Sequence, residues 1–191
     1  MQLDTLNKFS ATTLALHWIV GLTMIILLAV GIFMVETETF SLYPWHKSFG
    51  VLIILVVVPR VFWRIKNGWP SPVSEYSKVE QLLAKIVHYV LILGTLLMPL
   101  SGFLMSSLGG NGVEVLGLEL VARNPDPEDT SKVIPHNETL GSFFHAAHHW
   151  VGYLLVAAVV LHVVGALKHH VIDKDGSLNR MLGSRVETFR D

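Results

Sequence analysis

Apolar residues fall in four long runs, near 12–35, 47–65, 82–108 and 140–171, separated by shorter polar stretches. Each reaches the roughly 20 residues that a helix rising about 1.5 Å per residue needs to cross about 30 Å of hydrocarbon. The runs are too long for barrel strands and lack their strict alternation. The pattern predicts an all-α membrane protein, a four-transmembrane-helix bundle forming one domain over 1–191. The first run is too long for the apolar region of a signal peptide. It lacks a small-x-small cleavage site, is followed by Glu36 and Glu38, and is read as retained. Pro99, flanked by Gly94 and Gly102, predicts a kink in the third helix. Residues 69–72, Trp-Pro-Ser-Pro, predict a stiff, non-helical link between helices two and three. In the long loop after helix three, 113–121 is apolar with glycines and is expected to lie along the membrane surface, while 124–130 is acidic and proline-rich.

Composition agrees with the pattern. Only 15% of the 191 residues are charged, against about a quarter in soluble domains. The absence of cysteine excludes disulfides, iron–sulfur clusters, thiolate zinc sites and covalent c-type haem. A net charge of −1 gives no footing for nucleic acid. Lysine and arginine set the orientation. With the N-terminus inside, Lys8, Arg60, Arg64, Lys66, Lys78, Lys85, Lys168, Lys174, Arg180, Arg185 and Arg190 lie at inner ends, and only Lys47, Arg123 and Lys132 at outer ends. Both termini are therefore expected in the cytoplasm.

Histidine is the unusual residue, with ten in the chain. An ionisable side chain inside a membrane is costly and points to function. His17 and His162 fall in the inner half, and His46 and the group His145, His148 and His149 at the outer ends. From His148 to His162 is about 40° short of whole turns and about 21 Å along a helix, so the two share a face. His145 and His149 lie well off that face. The fourth helix can thus supply one imidazole to each of two sites, His17 with His162 and His46 with His148. Two bis-histidine sites stacked in a four-helix bundle suit two b-type haems. Gly21, Gly50 and Gly152 each lie one turn after a candidate ligand, where a porphyrin plane needs close approach to the backbone.

Plainer readings stand beside these. Small residues at four-residue spacing also pack membrane helices. His88 suits a quinone or propionate contact and equally a helix-contact histidine. Arg60 and Arg64 suit haem propionates and equally ordinary inner-face anchoring. Lys47 is a candidate for the outer propionates or for attracting anions. His136, His145, His149 and His170 read as solvated interface residues. The stretch 173–176, Asp-Lys-Asp-Gly, begins like a calcium loop but lacks the remaining ligands, and reads as a turn. His169 lies only about 20° off the His162 stripe.

The segments ALHWIV around His17, HKSFG around His46, PRVFWRIKNGWP, VHYVLILGTLLMPLSG around His88, and LHVVGALKHHVIDKDGSLNRML resemble the bacterial cytochrome b561 family over nearly the whole chain. Cytochrome b subunits of formate dehydrogenases and nickel hydrogenases share the histidine plan more distantly. The resemblance implies His17 and His162 on an inner haem and His46 and His148 on an outer one. It implies ubiquinone or another quinone reacting near the inner haem, with His169 as a contact, in the bacterial inner membrane; His88 stays a quinone candidate on its position alone.

The function expected is electron transfer between a quinone pool and a periplasmic redox partner. The alternative is a superoxide:quinone oxidoreductase. A histidine-lined metal transporter is a third reading, which predicts acidic residues in the central parts of the spans, where the sequence has none.

Overall fold

The structure, a computed structural model, describes residues 3–187. Four helical spans run antiparallel in sequence, as the apolar runs predict. α1 (Ala11–Thr37) starts at Ser10, whose hydroxyl accepts the Thr13 amide proton. It stops at Glu38, where a left-handed residue turns the chain. The second span is a one-turn 3₁₀ helix (Phe40–Leu42) followed by α2 (Tyr43–Leu52) and α3 (Ile54–Asn67). The third is α4 (Lys78–Leu108), the fourth α5 (Glu138–Lys168).

Three boundaries differ from the hydropathy reading. The second span begins at Phe40 rather than near 47, because Pro44 favours a first helical turn and starts α2 ahead of the apolar run, within an aromatic stretch. His46 consequently lies within α2. α4 begins at Lys78 rather than 82, because Ser77 and Glu80 form a reciprocal capping box. α5 begins at Glu138, capped by Asn137, and passes into a π turn (His169–Asp173).

The segment 113–121 has structure of its own. It folds into an antiparallel hairpin, β1 (Val113–Val115) and β2 (Leu118–Val121), turned by Leu116 and Gly117, both at positive φ. The hairpin docks on α2. Ser48 Oγ donates to the Glu114 carbonyl and accepts the Leu116 amide proton, and Lys47 Nζ donates to the Gly112 carbonyl.

The hairpin marks one end of the bundle. The other, the tail end, gathers the residues before α1, the link 68–77, the π turn and α6 (Ser177–Met181). Asp4 accepts from Ser10 and Thr13, and Thr13 in turn accepts from Trp63 Nε1 at 2.7 Å, which ties α1 to α3. Arg180 is buried there; it donates to the Leu6 and Ser71 carbonyls and lies over the Phe9 ring.

The core holds Val20, Met24, Leu28, Ile53, Val57 and Leu155. α4 and α5 form the broadest interface, and a Cβ at Gly94 would come within 2.5 Å of Leu155, so only glycine admits that approach. At most 22% of any span's most apolar window is buried. Large apolar side chains such as Leu55, Phe62 and Val160 face outward. Such surface needs hydrocarbon around it, and the chain is a multi-pass membrane protein.

Candidate functional site

Two imidazole pairs sit at two depths in the bundle, and α5 contributes to both. At the hairpin end the rings of His46 from α2 and His148 from α5 are 6.4 Å apart, nearly perpendicular. Toward the tail end those of His17 from α1 and His162 from α5 are 6.1 Å apart, tilted by 54°. Two imidazoles on opposite sides of one metal ion would stand about 6.2 Å apart, for metal–nitrogen bonds of about 2 Å and a nitrogen about 1.1 Å from its ring centre. Both separations suit one ion between two rings.

The hairpin-end pair opens on a cavity of about 220 Å³, walled mainly by apolar side chains with Gly31, Gly50, Gly102 and Gly152. His148 Nδ1 is 3.0 Å from the Met98 carbonyl and 3.2 Å from Ser101 Oγ. His46 Nδ1 is buried with no hydrogen-bond partner among the described residues. A buried nitrogen left so implies a partner outside the polypeptide.

The glycines divide into two kinds. A Cβ at Gly21 or Gly50 would meet nothing within 4 Å, so open space lies beside His17 and His46. Gly152 faces Met98 instead, whose Cε a Cβ would meet at 3.2 Å. Gly31, unremarked in the sequence, and Gly102, expected there only to absorb the Pro99 kink, seat the ligand rings from the facing helices. Their Cβ atoms would lie 3.3 Å from His46 Cε1 and 2.9 Å from His148 Cε1. A glycine within a span facing a histidine's depth was the available signal.

The family model for prokaryotic cytochrome b561 matches residues 8–184. The chain belongs to the prokaryotic cytochrome b561 family. Cytochrome b561 homolog 2 of Escherichia coli is 32% identical over 97% of this chain and 97% of its own length. Cytochrome b561 homolog 1 of the same organism is 28% identical over 94% and 99%. A probable superoxide oxidase CybB of Yersinia pestis is 26% identical over 92% and 96%. As a cytochrome b561 the chain is a membrane haem protein of electron transfer and takes b-type haem. Donor chemistry and space fit that group: imidazole nitrogens in facing pairs, side-chain-free backbone beside them, and apolar walls. The family gives the transporter reading no support.

The other candidates are dispersed. His88 packs its ring 5.2 Å from His162 and 6.4 Å from Trp69. Arg60 lies within electrostatic reach of His17, His88 and His162. Arg64 is engaged structurally, donating to the Gly68 carbonyl at 2.7 Å and lying 3.8 Å from Asp4. Lys47 lines the hairpin-end cavity, with its ammonium on the Gly112 carbonyl. His145 and His149 stand exposed at that cavity's edge.

His169 lies in the π turn, beyond the tail-end pair. Its Nδ1 is 2.9 Å from Asp173 Oδ2 and 3.0 Å from Asp175 Oδ2. Its ring packs 4.7 Å from that of Tyr76, whose hydroxyl donates to Asp175. Burial, and then the Asp175 bond, push the Tyr76 hydroxyl up to about 12. Burial works against the Asp175 carboxylate, yet hydrogen bonds from Tyr76 and Ser177 outweigh it and hold the carboxyl below its ordinary range.

Proposed function

We propose that the chain holds two b-type haems, one between His17 and His162 and one between His46 and His148. It would carry electrons between a quinone pool at the tail end and a redox partner at the hairpin end. The observation that carries this reading is the matched pair of ring separations, 6.1 and 6.4 Å, built on one helix at two depths. The haems supply the electron relay. The polypeptide fixes ligand orientation, keeps water out with apolar walls and tunes potential through its hydrogen bonds and charges.

Arg60, near three histidines and making no hydrogen bond among the described residues, is the better partner for a propionate of the tail-end haem; Arg64 is already occupied. Positive side chains gather at the tail end, which supports a cytoplasmic location for it and an inner-membrane setting. Arg190, counted in that set, lies outside the described residues. The quinone would meet His169, about two turns beyond His162, with His88 beside the haem.

Pyridine haemochrome analysis of fully loaded protein tests the haem count: two haems per chain are expected, and one or none overturns it. His169→Ala should slow quinol oxidation with the haem spectrum intact, and His170→Ala much less. Equal effects would remove His169 from the quinone site.

A second reading, superoxide:quinone oxidoreductase, draws on the name of the Yersinia pestis relative and on Lys47 at the cavity. Against it stand Glu36, Glu38, Glu114, Glu119 and Glu138 around the hairpin end, which repel an anion and suit a cationic partner protein. Stopped-flow mixing with superoxide separates the two. Fast haem reduction without a partner favours the second.

A further inference from the structure

The π turn after α5 holds a group of side chains that electron transfer through haem does not require. His169 Nδ1 lies at ion-pair distance from two carboxylates, Asp173 at 2.9 Å and Asp175 at 3.0 Å, with neither at hydrogen-bonding geometry to the ring nitrogen, so the contact is electrostatic. The two acids differ. Asp175 has only 3% of its side chain exposed. It accepts from the Tyr76 hydroxyl and, through Oδ1, from the Ser177 amide at 2.8 Å. Asp173 is exposed and held by Lys168 Nζ at 2.8 Å, which also binds Glu80 of α4 at 2.6 Å. Each acid is thus anchored by a different part of the chain, and both present an oxygen to one imidazole nitrogen.

The backbone brings Asp175 back to the His169 ring. Residues 169–173 form a π turn, an uncommon geometry that recurs at functional sites. Lys174 is left-handed (φ 51) and its N–H bonds back to the His169 carbonyl, as does that of Asp175 at 3.3 Å. The chain therefore doubles back, and Asp175, six residues on, returns to the His169 ring. A regular helix would carry that position far along the axis.

We infer that Asp175, with Asp173, is a positioning residue that holds His169 as the Nδ1–H tautomer and leaves its Nε2 lone pair as the proton acceptor for quinol. Carboxylates only accept, so a nitrogen facing two of them carries the proton. This rests on the quinone reading above. In each one-electron step of quinol oxidation an O–H bond of quinol would break and its proton would pass to Nε2 of His169, with the haem held by His17 and His162 as the electron acceptor; before the next step the part-exposed imidazolium would give that proton up to water. The imidazolium formed is met by the two carboxylates at Nδ1. In quinone reduction the same imidazolium returns its proton to the quinone oxygen as the electron arrives. The charged and titratable groups around the ring are Asp173, Asp175 and Tyr76, with Lys168, Glu80 and Arg180 behind them. The same donors would fit a divalent cation, since their atoms lie within 4.8 Å of one another. Lys168 already neutralises Asp173, which favours the imidazole as the group the pair serves.

Nitrogen-15 NMR of histidine-labelled, haem-loaded protein reads the tautomer directly, with the His169→Gln variant assigning the resonance. The expected state is Nδ1–H; an Nε2–H tautomer overturns the proposal, and so does a resonance that moves on adding Mg²⁺ or Mn²⁺ and returns with a chelator. In Asp175→Asn the Nδ1–H signature should weaken, and oxidation of a short-chain ubiquinol analogue should slow roughly tenfold at equal haem content. Asp175→Glu should recover part of the rate. Wild-type rates in His169→Gln would remove the quinone site itself and this proposal with it. A slow His169→Gln beside a wild-type Asp175→Asn would overturn the positioning role alone.

Discussion

His148 donates its Nδ1 proton to the Met98 carbonyl oxygen, 3.0 Å away on α4 and one residue ahead of the helix's internal proline. A carbonyl cannot donate, so Nε2 of His148 keeps its lone pair for a ligand. Ser101 Oγ, 3.2 Å from the same nitrogen, donates to the same carbonyl at 3.0 Å. The ligand ring is oriented by backbone, which no side-chain substitution removes.

Ser101→Ala should therefore leave the hairpin-end haem in place. A hydrogen bond is worth about 1 kcal/mol net, which corresponds to roughly fivefold faster haem loss to a scavenger globin. His148→Ala or His46→Ala should abolish that haem, and His17→Ala or His162→Ala the other. Low-temperature spectra separate the two. If His145→Ala rather than His148→Ala lost a haem, the pairing on α5 would be wrong.

The glycines give a sharper test of where the cofactor lies. Gly50→Leu meets no protein atom at its Cβ within 4 Å, so the apoprotein should fold normally while losing the hairpin-end haem. Gly102→Ala puts a Cβ 2.9 Å from the His148 ring and should lose the same haem by displacing its ligand. Haem content measured beside the melting temperature of the apoprotein checks both. A full haem complement in Gly50→Leu would mean that lipid, not porphyrin, occupies the space.

The Tyr76 hydroxyl should titrate late, at about 12 against an ordinary 10.0, through burial first and then its bond to Asp175. The folded value is raised. The stability this contact contributes is thus fully present below pH 10 and is lost as pH climbs toward 12. Following the phenolate absorbance, Tyr76→Phe should delete the latest-titrating phase and Asp175→Asn should move it earlier. A late phase unaffected by either variant would contradict the contact.

At the hairpin tip Leu116 is left-handed (φ 51) with a branched, exposed side chain. That conformation costs about 1 kcal/mol or more in any residue with a Cβ. Leu116→Gly should slow hydrogen exchange of the hairpin amides by roughly fivefold. Ser48→Ala should speed exchange at the Leu116 amide, whose acceptor it removes.

Hydropathy made the four spans legible because burial in lipid acts on every residue of a 20-residue stretch at once. Depth and helical phase brought His148, rather than His145 or His149, opposite His46, and the structure brings those rings together. What escaped were features decided between segments. The hairpin 113–121 lacks the Asn-Gly or Asp-Gly turn that would announce it and is fixed by Ser48 from another helix. Gly31 and Gly102 lie on helices other than those of the rings they seat, and spacing within one segment marks only glycines one turn along the same helix. The closeness of His88 to His162 and the return of Asp175 to His169 depend on packing and on a π turn, neither of which a periodicity encodes.

Arg180 gives the chain an order of assembly. Its guanidinium fastens Leu6 and Ser71, segments far apart in sequence, and Val186 then pairs with Asn7. A ribosome delivers this residue only after all four spans have been made. Until then the Asp4, Thr13 and Trp63 contacts can join the first helix to the second span, but the link behind that span lacks its Arg180 clasp, so this last fastening of the end that faces His169 waits for the whole chain.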